Sequence, residues 1–231
     1  MILCLICARK GSKRLPGKNL KLIDKVSLLA RSILHAKSCK SIDEVIVSTD
    51  CNDIATEAKK FRAKVPFIRP PSLALDHTPE WKVWQHAIKF YNNKNIFPSA
   101  LVILPTTAPL RKIENIKTAL NIYHTVECDG VISVTESFRN PTFNMVKKNK
   151  QGFAELAIPT KDKIFRTQDA DLFYDVTTVC YVMNPTFVLE NNYLFDGRIK
   201  MNQISKENSV DIDNELDLKW AKFMMKSIKD K

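Results

Sequence analysis

Two sets of residues have the types and spacing to do chemistry. The first is a cationic loop, Ala8-Arg9-Lys10-Gly11-Ser12-Lys13-Arg14-Leu15-Pro16-Gly17-Lys18-Asn19-Leu20. Its cations surround two of the chain's five glycines. Glycine takes backbone conformations that other residues resist and lets the chain approach a ligand closely. Exposed N–H groups plus cations suit a run of phosphates such as a nucleoside triphosphate. The loop follows the unbroken apolar run Ile2–Cys7, which reads as a strand buried on both faces. The second set is Asp211 and Asp213. On an extended segment, residues two apart point to one side. Two carboxylates so placed can hold a hard divalent cation such as Mg²⁺ alongside substrate phosphates.

Each set has a plainer reading. The loop alone would pass for a solvated basic surface, and Asp213 alone for the N-cap of a following helix, with Asp211 in water. Together they favour nucleotidyl transfer, which needs charge neutralised at the attacked phosphorus. The loop is neither common phosphate motif. Five residues separate Gly11 from Gly17 where the Walker pattern has four, and Asn19 follows Lys18. No closely spaced glycine pair makes a dinucleotide fingerprint.

The elements that must position these residues follow from periodicity. A helix is expected over 26–37, a buried strand over 44–50 ending in Ser48-Thr49-Asp50, a helix over 53–62 and a short strand over 65–68. Strand alternating with helix predicts right-handed crossovers, a parallel sheet and ligands at the carboxyl ends of strands. Residues 69–78 are non-helical, and Thr78-Pro79-Glu80 opens a helix. Its Trp81, Trp84, Ile88 and Tyr91 recur at helical spacing and read as core rather than a base-stacking platform. Strands over 100–104, 129–134 and 178–182 and a helix from Ile113 complete the core pattern, with a hairpin in 142–157 outside it. Leu216, Trp220, Phe223, Met224 and Ile228 form the apolar stripe of a last helix.

A chain of 231 residues supports one main domain of ordinary globular composition, 45% hydrophobic and 26% charged. No apolar run approaches the roughly 20 residues that span a bilayer, and no signal peptide is evident, so a cytoplasmic protein without membrane partners is expected. The net charge of +11 suits polyanionic ligands, but the basic residues are dispersed and no nucleic-acid motif occurs. Six cysteines do not space as a disulfide framework. Cys4 and Cys7 read as core packing, and His77 and His86 lack partners at metal-ligand spacing.

The pattern Ala8-Arg9-x-Gly11-Ser12-Lys13-x-Leu15-Pro16-x-Lys18-Asn19-Leu20 resembles the signature of the acylneuraminate cytidylyltransferases. The resemblance extends through Ser48-Thr49-Asp50, Arg69-Pro70, Leu73, Asp76, Pro105–Arg111, Ser133-Val134 and 209–218. It implies a three-layer α/β, Rossmann-like nucleotidyltransferase fold with a mainly parallel sheet and a dimerisation extension over about 138–178. It also implies a single domain over 1–231, a homodimer, Mg²⁺, and reaction of CTP with a nine-carbon 2-keto sugar acid to give the CMP-sugar and pyrophosphate. Carried over by position, Arg9 and Lys18 bind the triphosphate, with Ala8, Gly11, Ser12, Asn19, Arg69 and Thr107 at the nucleotide. Asp211 and Asp213 hold Mg²⁺, and either Asp213 or a metal-bound hydroxyl acts as base. Arg111, Gln168, Asp175 and Thr177 fall at the sugar, and Arg166 reaches the neighbouring subunit's sugar site.

Two departures bear on the sugar. The family often has Leu-Gln-Pro-Thr-Ser-Pro-Leu-Arg, where this chain has no glutamine at Pro105. Asp175-Val176-Thr177-Thr178 stands where many sialic acid enzymes carry Arg-Pro-Asn-Gly, and Tyr174-Asp175 is more similar to pseudaminic acid cytidylyltransferases. A related nonulosonic acid with amino substituents is therefore a candidate substrate. The alternatives are an eight-carbon ulosonic acid and, outside enzymes, a basic nucleic-acid-binding module.

Overall fold

The computed structural model describes residues 1–229. Chain order gives β1 (Ile2–Cys7), β2 (Leu22–Ile23), β3 (Val26–Ser27), α1 (Leu28–Ser38), β4 (Glu44–Ser48), α2 (Asn52–Lys60), α3 (Glu80–Asn92), β5 (Ala100–Ile103) and α4 (Ile113–Thr125). Then come β6 (Gly130–Glu136), β7 (Val146–Lys148), β8 (Ala154–Leu156), β9 (Tyr174–Met183), α5 (Pro185–Glu190), β10 (Ile199–Gln203) and α6 (Glu215–Lys229). The main sheet runs β10-β6-β9-β5-β1-β4. β1 pairs in parallel with β4 and β5, and β10 with β6. Side chains of β1 alternate between two cores, Cys4 and Ile6 facing α1, α2 and α4, Leu3 and Leu5 facing α3 and α5. The three-layer α/β architecture is thus present, and the unbroken apolar runs are strands buried on both faces.

The sheet is mainly parallel, as expected, with β9 running antiparallel to both β5 and β6. A doubly buried strand reads the same in either direction, which hides its orientation in the sequence. Several other expectations are corrected. The first helix begins at Leu28, because Val26 and Ser27 pair with β2 and Ser27 caps the helix through Ala30 N–H. Residues 65–68 make no strand; two isolated bridges, Ile46 with Lys64 and Thr49 with Ile68, stand there. The hairpin within 142–157 is β7–β8, a separate two-stranded sheet.

The last helix differs most. Leu216, Trp220 and Phe223 are 73%, 52% and 60% exposed, so most of the expected stripe faces water. The buried side is Leu218 and Ala221, packed on Leu15, Ile23, Leu28 and Ile212. Asp213 is not the cap. Asn214 Oδ1 accepts from the N–H groups of Leu216 and Asp217, while Asp217 accepts from those of Asp213 and Asn214. Asp213's carboxylate is therefore free of capping duty.

Candidate active site

The carboxyl ends of β1 and β5 open into one cavity of about 730 Å³, within the range of about 300–1,000 Å³ usual for small-molecule sites. The chain leaves β1 for β4 on one side and returns to β5 on the other, so the loops after these strands diverge and leave a crevice.

The cationic loop forms one wall. Leu15 is buried in the third core and anchors it. Gly17 has φ +66°, a left-handed conformation that favours glycine, and starts the short 3₁₀ turn Lys18–Leu20. Gly11 does not adopt a positive φ, so its place does not rest on conformational freedom. Asp50 accepts from Lys10 N–H at 2.9 Å, and Asn19 links the Arg9 carbonyl (2.8 Å) to the Thr106 hydroxyl (2.7 Å). Arg9, Ser12, Lys13, Arg14, Lys18 and Asn19 all face the cavity.

The carboxylate pair lies against this wall. Ile212 is fully buried and its N–H donates to the Thr107 carbonyl at 2.9 Å. Burying that side chain contributes about 2–3 kcal/mol. With Ile212 inward, Asp211 and Asp213 both face the cavity, as two-residue spacing requires.

Two ion-pair groups stand at the site. Asp213 meets Arg14 at 3.0 Å and Lys18 at 3.4 Å, and Lys18 also donates to the Ile212 carbonyl at 3.0 Å. Asp76 pairs with Lys13 and, at 2.7 Å, with Arg9. Lys13 first, then Arg9, holds the Asp76 carboxyl below the usual carboxylate range. The loop cations therefore already have anionic partners, and a polyphosphate would exchange carboxylates for phosphate oxygens.

Arg69 is 4% exposed and clamped on Ser48, through Nε to the hydroxyl at 3.0 Å and Nη2 to the carbonyl at 2.6 Å. Thr107 reaches the cavity and donates to the Thr178 hydroxyl at 3.1 Å. Thr178 and Tyr181 both arrive there because β9 shifts register against β6 between Ile132 and Val134. Burial, then Glu80, then Asp211, pushes the Tyr181 phenol up to about 12.

Other expected residues lie elsewhere. Ala8 is buried behind the loop, its N–H donating to the Ser48 carbonyl, and neither it nor Gly11 borders the cavity. Arg111 is 2% exposed and in the core. It donates to the carbonyls of Val179 and Pro105 and to the Ser32 hydroxyl, and burial lowers its pKa to about 10. Thr177 is buried with its hydroxyl on the Ser133 carbonyl, and Asp175 accepts from Ser137. Arg166 and Gln168 are exposed on the extension; Arg166 pairs locally with Asp169 at 2.8 Å. None of these five borders this chain's cavity.

Sequence reasoning missed Glu80, Trp84, Thr178 and Tyr181 as cavity residues. Trp84 is core, as its spacing predicts, but one edge also meets the cavity. Only a topology that sets α3 beside β9 could have revealed this.

A family model described as cytidylyltransferase matches residues 3–227. The chain is 33% identical over 229 residues to a CMP-N,N'-diacetyllegionaminic acid synthase of Campylobacter jejuni, covering 97% of this chain and 94% of that one. It is 29% identical over 224 residues to a pseudaminic acid cytidylyltransferase of the same species, covering 97% and 96%. A solved CMP:2-keto-3-deoxy-manno-octonic acid synthetase complexed with CTP superposes with TM-score 0.72 at 16% identity, covering 98% of each chain. That last likeness is one of fold.

Proposed function

Because the chain belongs to the cytidylyltransferase family, we propose that it joins CTP to a nonulosonic acid of the legionaminic or pseudaminic kind, releasing pyrophosphate. The observation that carries this reading is the gathering of Asp211 and Asp213 with Arg9, Lys13, Arg14 and Lys18 in the lining of one cavity. The loop cations take the triphosphate. The sugar's anomeric hydroxyl then attacks the α-phosphorus, the bond to pyrophosphate breaks, and the hydroxyl proton passes to a carboxylate of the pair. Cations fixed before the reaction stabilise the charge on the leaving group.

Asp211 and Asp213 fit Mg²⁺. They offer two hard oxygen donors on one side of an extended segment, and CTP phosphates with water complete the shell. When bound there the ion supplies charge neutralisation at the phosphates.

The active unit we propose is a homodimer working in the cytoplasm, where CTP is made. No helix among the described residues is long and apolar enough to cross a membrane. The 138–178 extension exposes Phe138, Phe153, Phe165 and Leu172 by 68–79%, apolar side chains that a partner subunit would cover. Arg166 sits on that extension, away from its own cavity, and would serve the partner's sugar site.

Pyrophosphate release with CTP, Mg²⁺ and a panel of legionaminic, pseudaminic, sialic and eight-carbon ulosonic acids tests the reaction. A diamino nonulosonic acid should support turnover, and Asp211→Ala should lower it by roughly 10²–10³-fold. Turnover with none of the sugars would refute the reading.

A further inference from the structure

The outer face of α6 takes no part in the core or in the cavity. Three rows run along this helix, each at three- and four-residue spacing. Leu218, Ala221 and Met225 pack on Leu15, Ile23, Leu28 and Ile212. Leu216, Trp220 and Phe223 form a second row that faces water, with the rings of Trp220 and Phe223 stacked at 5.6 Å between centroids. Lys219, Lys222 and Lys226 form the third, all exposed and adjoining the aromatic row. Among the described residues none of these lysines makes an ion pair. The acids at the helix start are engaged, Glu215 with Lys21 at 3.4 Å and Asp217 with the N–H groups of Asp213 and Asn214. The packed row fixes the helix, so the apolar and cationic rows are presented together without rearrangement.

We infer that α6 docks in the plane of an anionic membrane surface, with Leu216, Trp220 and Phe223 in the headgroup layer and the lysines on lipid phosphates. A helix that lies in such an interface carries Trp, Phe or Leu on one face and lysines beside them. Tryptophan favours the headgroup level, where its ring is half apolar and half wet. Each lysine near an anionic surface adds attraction, and the whole chain carries +11. A second copy meeting on this face would bring the same lysines and, among the described residues of the helix, no unengaged acid. Self-association there lacks the charge complementarity that anionic lipid supplies. No helix among the described residues is long and apolar enough to cross a membrane, and docking in the plane needs no such length.

Vesicle sedimentation tests this on the wild-type protein without substrates, using phosphatidylcholine alone and phosphatidylcholine mixed with phosphatidylglycerol. The anionic vesicles should bind roughly 10- to 100-fold more tightly, and added salt should weaken that binding. The chain has three tryptophans, and Trp81 and Trp84 are buried, so a blue shift of emission on binding reports chiefly Trp220. The triple variant Lys219→Gln, Lys222→Gln, Lys226→Gln should lose the preference for anionic vesicles. The double variant Trp220→Ser, Phe223→Ser should lose binding to them. Both should keep the wild-type melting temperature and turnover, since neither row borders the cavity. Wild type that ignores anionic vesicles, or binding that neither variant weakens, overturns the docking and leaves the reaction untouched. An emission shift with soluble polyglutamate and none with vesicles also overturns it and gives the face to an acidic protein.

Discussion

Arg111 shows how residue type and residue role separate. Its place after the Pro105 loop fits a cation aimed at a sugar carboxylate. In the fold, its guanidinium instead ties that loop to β9 and α1 through Pro105, Val179 and Ser32. Removing it would take the side-chain donor from the buried Val179 carbonyl and leave the Pro105 carbonyl to the Ser32 hydroxyl alone, at about 1–3 kcal/mol for an unsatisfied buried group. Arg111→Met should therefore lose about 1–3 kcal/mol in chemical denaturation. The folded variant should keep its KM for the sugar acid. A raised sugar KM with unchanged stability would return Arg111 to the site. Arg69 sits in an equally buried setting, but the cavity reaches it, and burial alone does not distinguish the two.

At the scale of elements, the α6 N-terminus decides what Asp213 is free to do. Both Asp213 and Asn214 are good capping types, and sequence order favours the first. The structure gives the cap to Asn214, with Asp217 closing back on the two preceding N–H groups. Asn214→Ala should cost about 1 kcal/mol, seen as a lower melting temperature with turnover retained. Asp213→Asn should stay within about 0.5 kcal/mol of wild type and lose turnover. The reverse pairing of effects would make Asp213 the cap. The same scale explains which elements were legible. Ile2–Cys7, Glu44–Ser48 and Ala100–Ile103 are apolar without a break, so they declare themselves as inner strands. β10, Ile-Lys-Met-Asn-Gln, is an edge strand with only Asn202 buried and carries no such signal. The cationic loop was legible because glycine is scarce and two glycines fall there. Asp76 and Glu80 were not assigned to the cavity as ligand-facing groups, because each is an ordinary loop or helix-start acid until the fold brings Asp76 to Arg9 and Glu80 into the cavity wall.

At the scale of the molecule, large apolar side chains stand exposed on the 138–178 extension and along the Leu216, Trp220, Phe223 stripe of α6, among others. For the homodimer proposed above, the extension is the better surface because it also carries Arg166, which does not border its own chain's cavity. A two-fold dimer makes that contribution reciprocal, each site combining Asp211 of one chain with Arg166 of the other. Arg166→Ala and Asp211→Ala homodimers should then both be inactive. Their co-expressed heterodimer, purified through two different tags, restores one complete site of two and should regain about half of wild-type turnover. If Arg166 served its own chain, each subunit of that heterodimer would carry one defect and no site would be whole. Restored activity therefore demonstrates both the dimer and the shared site. An inactive heterodimer that remains dimeric by light scattering would confine the sugar site to one chain and leave Arg166 to its local pairing with Asp169.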